Sequence, residues 1–314
     1  MPEDQTPEKR QPTETPRTTE TVRTAERLDV RKTYKLFVGG AFPRSESGRS
    51  YPVHDAGGRF VANAALASRK DARDAVVAAR KAFGGWSGAT AYNRGQILYR
   101  IAEMLDGRRQ QFVAEIAAGE GLDTERAIAQ VDESIDRWVS YAGWSDKIAQ
   151  VVGGANPVAG PYFDFSLPEP TGVVAVVAPQ DSSLLGLVSV VAPVIVTGNT
   201  CVVLAAERTP LPAVTLAEVL ATSDLPGGVV NLLTGRVAEV APWLASHMDV
   251  NGIDLTGVDD PEVAAELEGA AADNLKRVTR PPLDHERPDW YAEPGLDRMT
   301  AYLETKTVWH PIGR

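Results

Sequence analysis

The only thiol in the 314-residue chain belongs to Cys201. A cysteine does chemistry as a thiolate, and a thiolate needs an electropositive, accessible setting. Cys201 lies instead in the unbroken apolar run Thr200-Cys-Val-Val-Leu204. That run reads as a buried strand, so the thiol is expected to be inert. One cysteine also excludes an internal disulfide framework and any cysteine metal cluster. The four histidines, His54, His247, His285 and His310, are scattered and form no HExxH-type ligand pair. No GxGxxG turn and no P-loop is present. Lys and Arg total 32 against 42 Asp and Glu, a formal net charge of -10. An acidic chain lacks the cationic patch that nucleic acid or an anionic membrane surface requires.

The elements that would position such groups fall into three parts. Residues 1–33 are rich in Pro, Thr, Glu and Arg, with few large apolar residues, and are expected to be a disordered tail. They lack the apolar run of a signal peptide, and no run elsewhere is long enough to span a membrane, so a soluble cytoplasmic protein is expected. Lys35-Leu-Phe-Val38 reads as a strand entering a turn at Gly39-Gly40. Ser68-Arg-Lys-Asp71 is a capping box opening a helix with Ala72, Ala75, Val76, Ala79 and Phe83 inward, stopped at Gly84-Gly85. A second helix is predicted over 92–118. A third covers 123–148, with Ile128, Val131, Ile135, Trp138, Val139 and Ala142 inward. From Gly172 onward, β-branched runs at 173–177, 200–204, 229–233 and 253–255 alternate with helical stretches at 184–196, 213–221, 238–246 and 262–272. Such alternation predicts an α/β fold with a parallel sheet. Residues 280–294 are proline-rich and irregular, with Trp290 and Tyr291 placed either to dock a partner or to cover apolar surface of this chain, and 302–309 alternate as a last strand. That strand needs a partner sheet, pointing to an edge or inter-subunit pairing.

These landmarks, in this order, resemble the NAD(P)-dependent aldehyde dehydrogenase superfamily. The resemblance rests on Leu36-Phe-Val-Gly-Gly40, Trp86-Ser87, Arg94-Gly-Gln-Ile-Leu98 and Tyr141-Ala-Gly-Trp144. It continues through Glu169-Pro-Thr-Gly-Val173, Val177-Ala-Pro179, Gly198-Asn-Thr200 and Leu225-Pro-Gly-Gly-Val-Val-Asn231 with Thr234-Gly235. Ile253-Asp-Leu-Thr-Gly257, Asn274-Leu-Lys-Arg-Val278 and Tyr302-Leu-Glu-Thr-Lys-Thr-Val308 complete it. It implies a Rossmann-like parallel sheet with flanking helices, a β oligomerisation hairpin at about 149–170 and a C-terminal strand that joins subunits. The implied organisation is a cofactor-type domain over 34–279, a linker over 280–295 in place of the catalytic domain, and an oligomerisation strand over 296–314.

The departures carry the functional expectation. The family's nucleophilic cysteine belongs to a domain that this chain passes over in about 20 residues. Asp181 stands where the family's oxyanion-stabilising Asn would be, and a carboxylate would repel a developing oxyanion. Pro281 stands where its general base Glu would be, and proline accepts no proton there. Leu204 replaces the ribose-binding Lys, Val237 and Ala241 replace glycines beside the nucleotide, and Val258 replaces a diphosphate-contacting Ser. Glu207, Gly235 and Gly257 are the cofactor residues that persist. NAD or NADP is thus the cofactor implied by resemblance, with no metal. The leading expectation is a catalytically inactive subunit that assembles with a full-length aldehyde dehydrogenase or as a homo-oligomer. The alternatives are an NAD(P)-dependent aldehyde oxidoreductase contributing to turnover within such a complex, and a nucleotide- or metabolite-sensing module.

Overall fold

The computed structural model describes residues 32–280 and 288–313. The expected tail over 1–33, Pro281 and His285 therefore lie wholly or almost wholly outside the described residues. Strands β1 (Thr33–Tyr34), β2 (Ser50–His54) and β3 (Phe60–Ala65) form a small sheet with β3 in the middle. Four long helices follow: α1 (Arg69–Ser87), α2 (Ala91–Asp106), α3 (Arg109–Glu120) and α4 (Thr124–Trp144), then the short α5 (Ile148–Val152). After β4 (Gly154–Asn156) and β5 (Tyr162–Pro170), strand and helix alternate. The run is β6 (Val173–Val177), α6 (Leu185–Val196), β7 (Thr200–Leu204), α7 (Leu211–Ala221), β8 (Val230–Leu233), α8 (Val237–Ser246), β9 (Gly252–Asp254), α9 (Pro261–Ala271) and β10 (Arg277–Thr279). The chain closes with α10 (Asp297–Thr300) and β11 (Leu303–Pro311). No described helix is long and apolar enough to cross a membrane.

The central sheet is fully parallel in the order β10-β9-β6-β7-β8. All five residues of β6 and all five of β7 are buried, as uniformly apolar strands between two helix layers must be. Burying each such valine or leucine is worth about 1.5–3 kcal/mol. One face carries α6 and α7, with α2, α3 and α4 packed outside them. The other carries α1, α8 and α9. This is the doubly wound architecture expected from the alternation.

Several local expectations are corrected. Phe37 and Val38 make only isolated bridges, to Leu232 and Ala41, and the regular first strand is Thr33–Tyr34. Strands β2 and β3 carry no strong sequence signal and were not expected. The Ser68–Asp71 capping box forms, but α1 runs through Gly84-Gly85 to Ser87. Trp86 holds that extra turn: it is buried and its indole N–H donates to the Ile195 carbonyl at 2.8 Å. The predicted second helix is two helices, broken at Gly107, which caps α2. On α4, Ile128 and Val139 face solvent while Arg137, Ser134 and Gln130 are buried.

The final strand finds its partner within the chain. Strand β11 pairs antiparallel with β5 over nine positions, from Leu303 opposite Pro170 to Pro311 opposite Tyr162. It forms one edge of the β11-β5-β4 sheet. Ser166, Asn156, Asp164 and Thr307 bond across one face of it, at 2.7–2.9 Å. Arg277 on β10 holds Glu304 on β11 with two bonds of 2.6 Å, so the last strand is tied to both sheets.

Candidate functional site

In open α/β sheets, ligands bind beyond the carboxyl ends of the strands, where the strand order reverses. Here that point lies between β6 and β9, and Asp181, Leu204, Glu207, Gly235 and Gly257 each end or follow a strand along that edge, whereas Cys201 lies near the amino end of β7. They do not form one site. At the β6–β9 junction the Gly257 N–H donates to the Val177 carbonyl at 3.1 Å. A Cβ on Gly257 would lie 1.9 Å from the Ala178 carbonyl oxygen. Direct backbone contact between two loops thus explains this glycine without any ligand. Gly235 is similar. Its φ is +156°, and a Cβ there would meet the Ala67 backbone nitrogen at 3.2 Å, where the β3–α1 connection donates to Thr234.

Glu207 follows β7 and reaches the start of α8. Its carboxylate accepts from the Val237 N–H and pairs with Arg236 at 3.3 Å. The amino end of a helix is a natural anion site, and here the chain's own carboxylate occupies it. Arg236 in turn lies 5.3 Å from the Tyr51 ring. Burial pushes the Tyr51 hydroxyl well up, with Arg236 opposing and Glu207 adding to the rise. The Glu207 N–H donates to Gln180 Oε1 at 2.9 Å, and Gln180 Nε2 donates to the Ala178 carbonyl at 2.7 Å. Gln180 therefore ties the ends of β6 and β7 together. Asp181, beside it, is exposed.

These residues do not fit a dinucleotide. The Glu207 carboxylate is committed to Val237 and Arg236. Leu204 and Ala241 are completely buried and Val258 almost so, all within the sheet's second core. None supplies a donor to a phosphate. Cys201 is fully buried in β7, and burial pushes its thiol far above its ordinary value. Among the described residues, no His, Cys, Asp and Glu side chains cluster as a metal site.

A second arrangement lies away from these residues. Residues 288–302 lie along the β9–β10 end of the sheet, against α4 and α6. Arg298 pairs with the buried Asp254 at 3.2 Å, and Asp254 accepts from the Thr256 N–H and hydroxyl at 2.8 and 2.5 Å. Tyr302 donates to Thr279 at 2.6 Å. From α4, Arg137 donates to the carbonyls of Trp290 and Ala292 at 2.6 and 3.0 Å. Trp290, Met299, Tyr302 and Leu303 join the main core. The segment expected as a linker is docked over its described part. Of its two expected docking aromatics, Trp290 covers this chain's own core, while Tyr291 is exposed.

The sequence model of the aldehyde dehydrogenase family matches residues 42–280. The chain belongs to this family. It is 36% identical over 262 residues to chicken (Gallus gallus) retinal dehydrogenase 2, covering 80% of this chain and 49% of that protein. It is 33% identical over 252 residues to cytosolic aldehyde dehydrogenase 1 of Elephantulus edwardii, covering 78% and 49%. Among solved structures, HpcC from Thermus thermophilus superposes with a TM-score of 0.75 at 29% identity, covering 79% of this chain and 48% of that one. The NAD+ complex of the Bacillus cereus aldehyde dehydrogenase gives 0.75 at 26% identity, covering 79% and 50%. This aldehyde dehydrogenase relative thus spans about half the length of the proteins it matches.

Proposed function

We propose that this aldehyde dehydrogenase family member is catalytically inactive and serves as a structural or regulatory subunit. It would assemble with a full-length aldehyde dehydrogenase, or with copies of itself, through the β4-β5-β11 sheet. The observation that carries the reading is the connection from β10 to β11. Within 23 positions the chain leaves Thr279 and enters Leu303, and the described part of that path is docked on α4 and α6. The subunit-type strand is thus kept while the stretch that holds the family's nucleophile is replaced. The buried Cys201 and the self-satisfied Glu207 support the same reading, and binding of NAD or NADP is proposed to be absent. Large apolar side chains are exposed on both faces of the sheet, Tyr162 beside Trp309 on one and Phe163 and Leu167 on the other, each 43–59% exposed.

Co-expression with a full-length aldehyde dehydrogenase, followed by size-exclusion chromatography and light scattering, tests the assembly. A mixed or homo-oligomeric peak is expected. A stable monomer beside that partner overturns the assembly. Aldehyde-dependent reduction of NAD or NADP by the isolated chain overturns the inactivity.

A further inference from the structure

A groove of about 880 Å³ is lined by α2, the carboxyl end of α4, residues 145–147 and Asp224, room enough for a drug-sized ligand or a short peptide. Tyr92, Tyr99 and Val139 lie in its lining and are 66, 51 and 39% exposed. Gln96 Nε2 donates to the Tyr92 hydroxyl at 2.9 Å and steadies that ring. Ser145 sits where the two helices come closest, since a Cβ on Gly95 would meet its Oγ at 2.4 Å. Ser145 is only 5% exposed and lines the groove, and its Oγ has no hydrogen-bond partner among the described residues. Unlike the sealed hydroxyl of Ser189, it keeps accessible surface, so an occupant of the groove can reach it. A hydroxyl so placed is normally bonded.

The occupant must therefore bring hydrogen-bonding groups alongside apolar surface. A helix satisfies its own backbone and offers Ser145 nothing from it, and an added β-strand needs a sheet edge, which two helices do not present. A polyproline II segment has no internal hydrogen bonds, so its carbonyls are free to accept, and it docks in aromatic-lined grooves. The spacing agrees. Tyr92 and Tyr99 both lie on α2, about 10.5 Å apart along its axis at about 1.5 Å per residue, close to one polyproline turn of about 9.3 Å. Arg100 pairs with Asp224 at 3.0 Å and Lys147 with Asp146 at 2.9 Å. Glu103 is then the groove carboxylate left without a cation among the described residues. We propose that this groove docks a proline-rich segment of a partner protein, with its prolines on Tyr92 and Tyr99, a carbonyl on Ser145 and a flanking arginine or lysine on Glu103.

Fluorescence anisotropy of the full chain with labelled Pro-Pro-Leu-Pro-Pro-Leu-Pro peptides, carrying arginine at either end, tests this. The controls have alanine for proline or glutamate for arginine, together with an amphipathic helical peptide. At least one arginine peptide is expected to bind with a Kd below about 0.5 mM, at least about tenfold more tightly than the alanine and helical controls. Its glutamate counterpart should bind about threefold more weakly, and Glu103→Gln should erase that difference. Tyr99→Ala should weaken binding at least about fivefold and Ser145→Ala about three- to tenfold, with each Tm within about 2 °C of the parent. No saturable binding at about 1 mM overturns the proposal. So does affinity unchanged in all three variants, or an alanine or helical control bound as tightly as the proline-rich peptides.

Discussion

Replacing Arg137 with methionine should release residues 288–295 while leaving the parallel sheet folded. The side chain is 5% exposed and donates to two backbone carbonyls of that segment. Hydrogen bonds from a charged donor are worth about 1.5–3 kcal/mol each, so the pair supplies roughly 3–6. Against this, Arg137 Nε is buried with no acceptor, a cost of about 1–3 kcal/mol that methionine removes. The net loss should be about 2–3 kcal/mol, or a 30- to 150-fold rise in the opening equilibrium at about 1.4 kcal/mol per decade. Amide hydrogen exchange reads this directly, because peptides spanning 288–302 should exchange faster by that factor. Peptides from β6 and β7 should be nearly unaffected. Exchange of 288–302 within about threefold of the parent, with unchanged stability, would refute the view that this arginine clamps the segment.

Gly257→Ala should cost at least about 3 kcal/mol in urea unfolding, because its Cβ would sit 1.9 Å from one carbonyl oxygen and 2.6 Å from another; a loss under about 1 kcal/mol would show the loops can part. The Arg277 guanidinium holds the Glu304 carboxyl below its ordinary value of 4.5, first by hydrogen bonding and then by charge, against a desolvation penalty. A lowered folded value means the pair stabilises above about pH 4.5 and loses its effect as pH falls through that lower value. With half the carboxylate side chain exposed, Glu304→Gln should cost only about 0.5–1 kcal/mol at neutral pH and nothing in strong acid, measured by denaturant midpoints across pH. Cys201 should resist iodoacetamide in native buffer by at least about 10³-fold relative to the unfolded chain; stoichiometric labelling within minutes would contradict its burial.

The parallel sheet was legible because β6 and β7 are buried on both faces and therefore apolar at every position. The face of α4 was not. Its apolar spacing points Ile128 and Val139 inward, yet Arg137 takes the buried place because carbonyls more than 150 residues later accept its protons. The end of α1 was missed for the same reason, since Trp86 overrides two glycines through a distant carbonyl on α6. At the candidate site, Glu207, Gly235 and Gly257 could be located from their motifs. What each does could not, because their neighbours Val237, Ala67 and Ala178 are set by tertiary contacts. The docked segment at 288–302 was legible in part: prolines and charges mark a loop, its aromatics leave open whether they cover this chain or a partner, and packing decides this for Trp290, with Met299 buried beside the core.

The pairing of β11 with β5 also sets a timetable for synthesis. About 130 residues separate Pro170 from its partner Leu303. At 5–20 residues per second, the ribosome needs about 7–27 s to cover that distance. Throughout that interval the β4–β5 hairpin has emerged with the whole β11 side of β5 unpaired, and Tyr162 and Phe163 stand beside that open edge. An unpaired aromatic edge invites pairing with any other strand nearby. Adjacent nascent chains on one message would meet during this window, so the assembly proposed above would have its first opportunity while the chains are still being made.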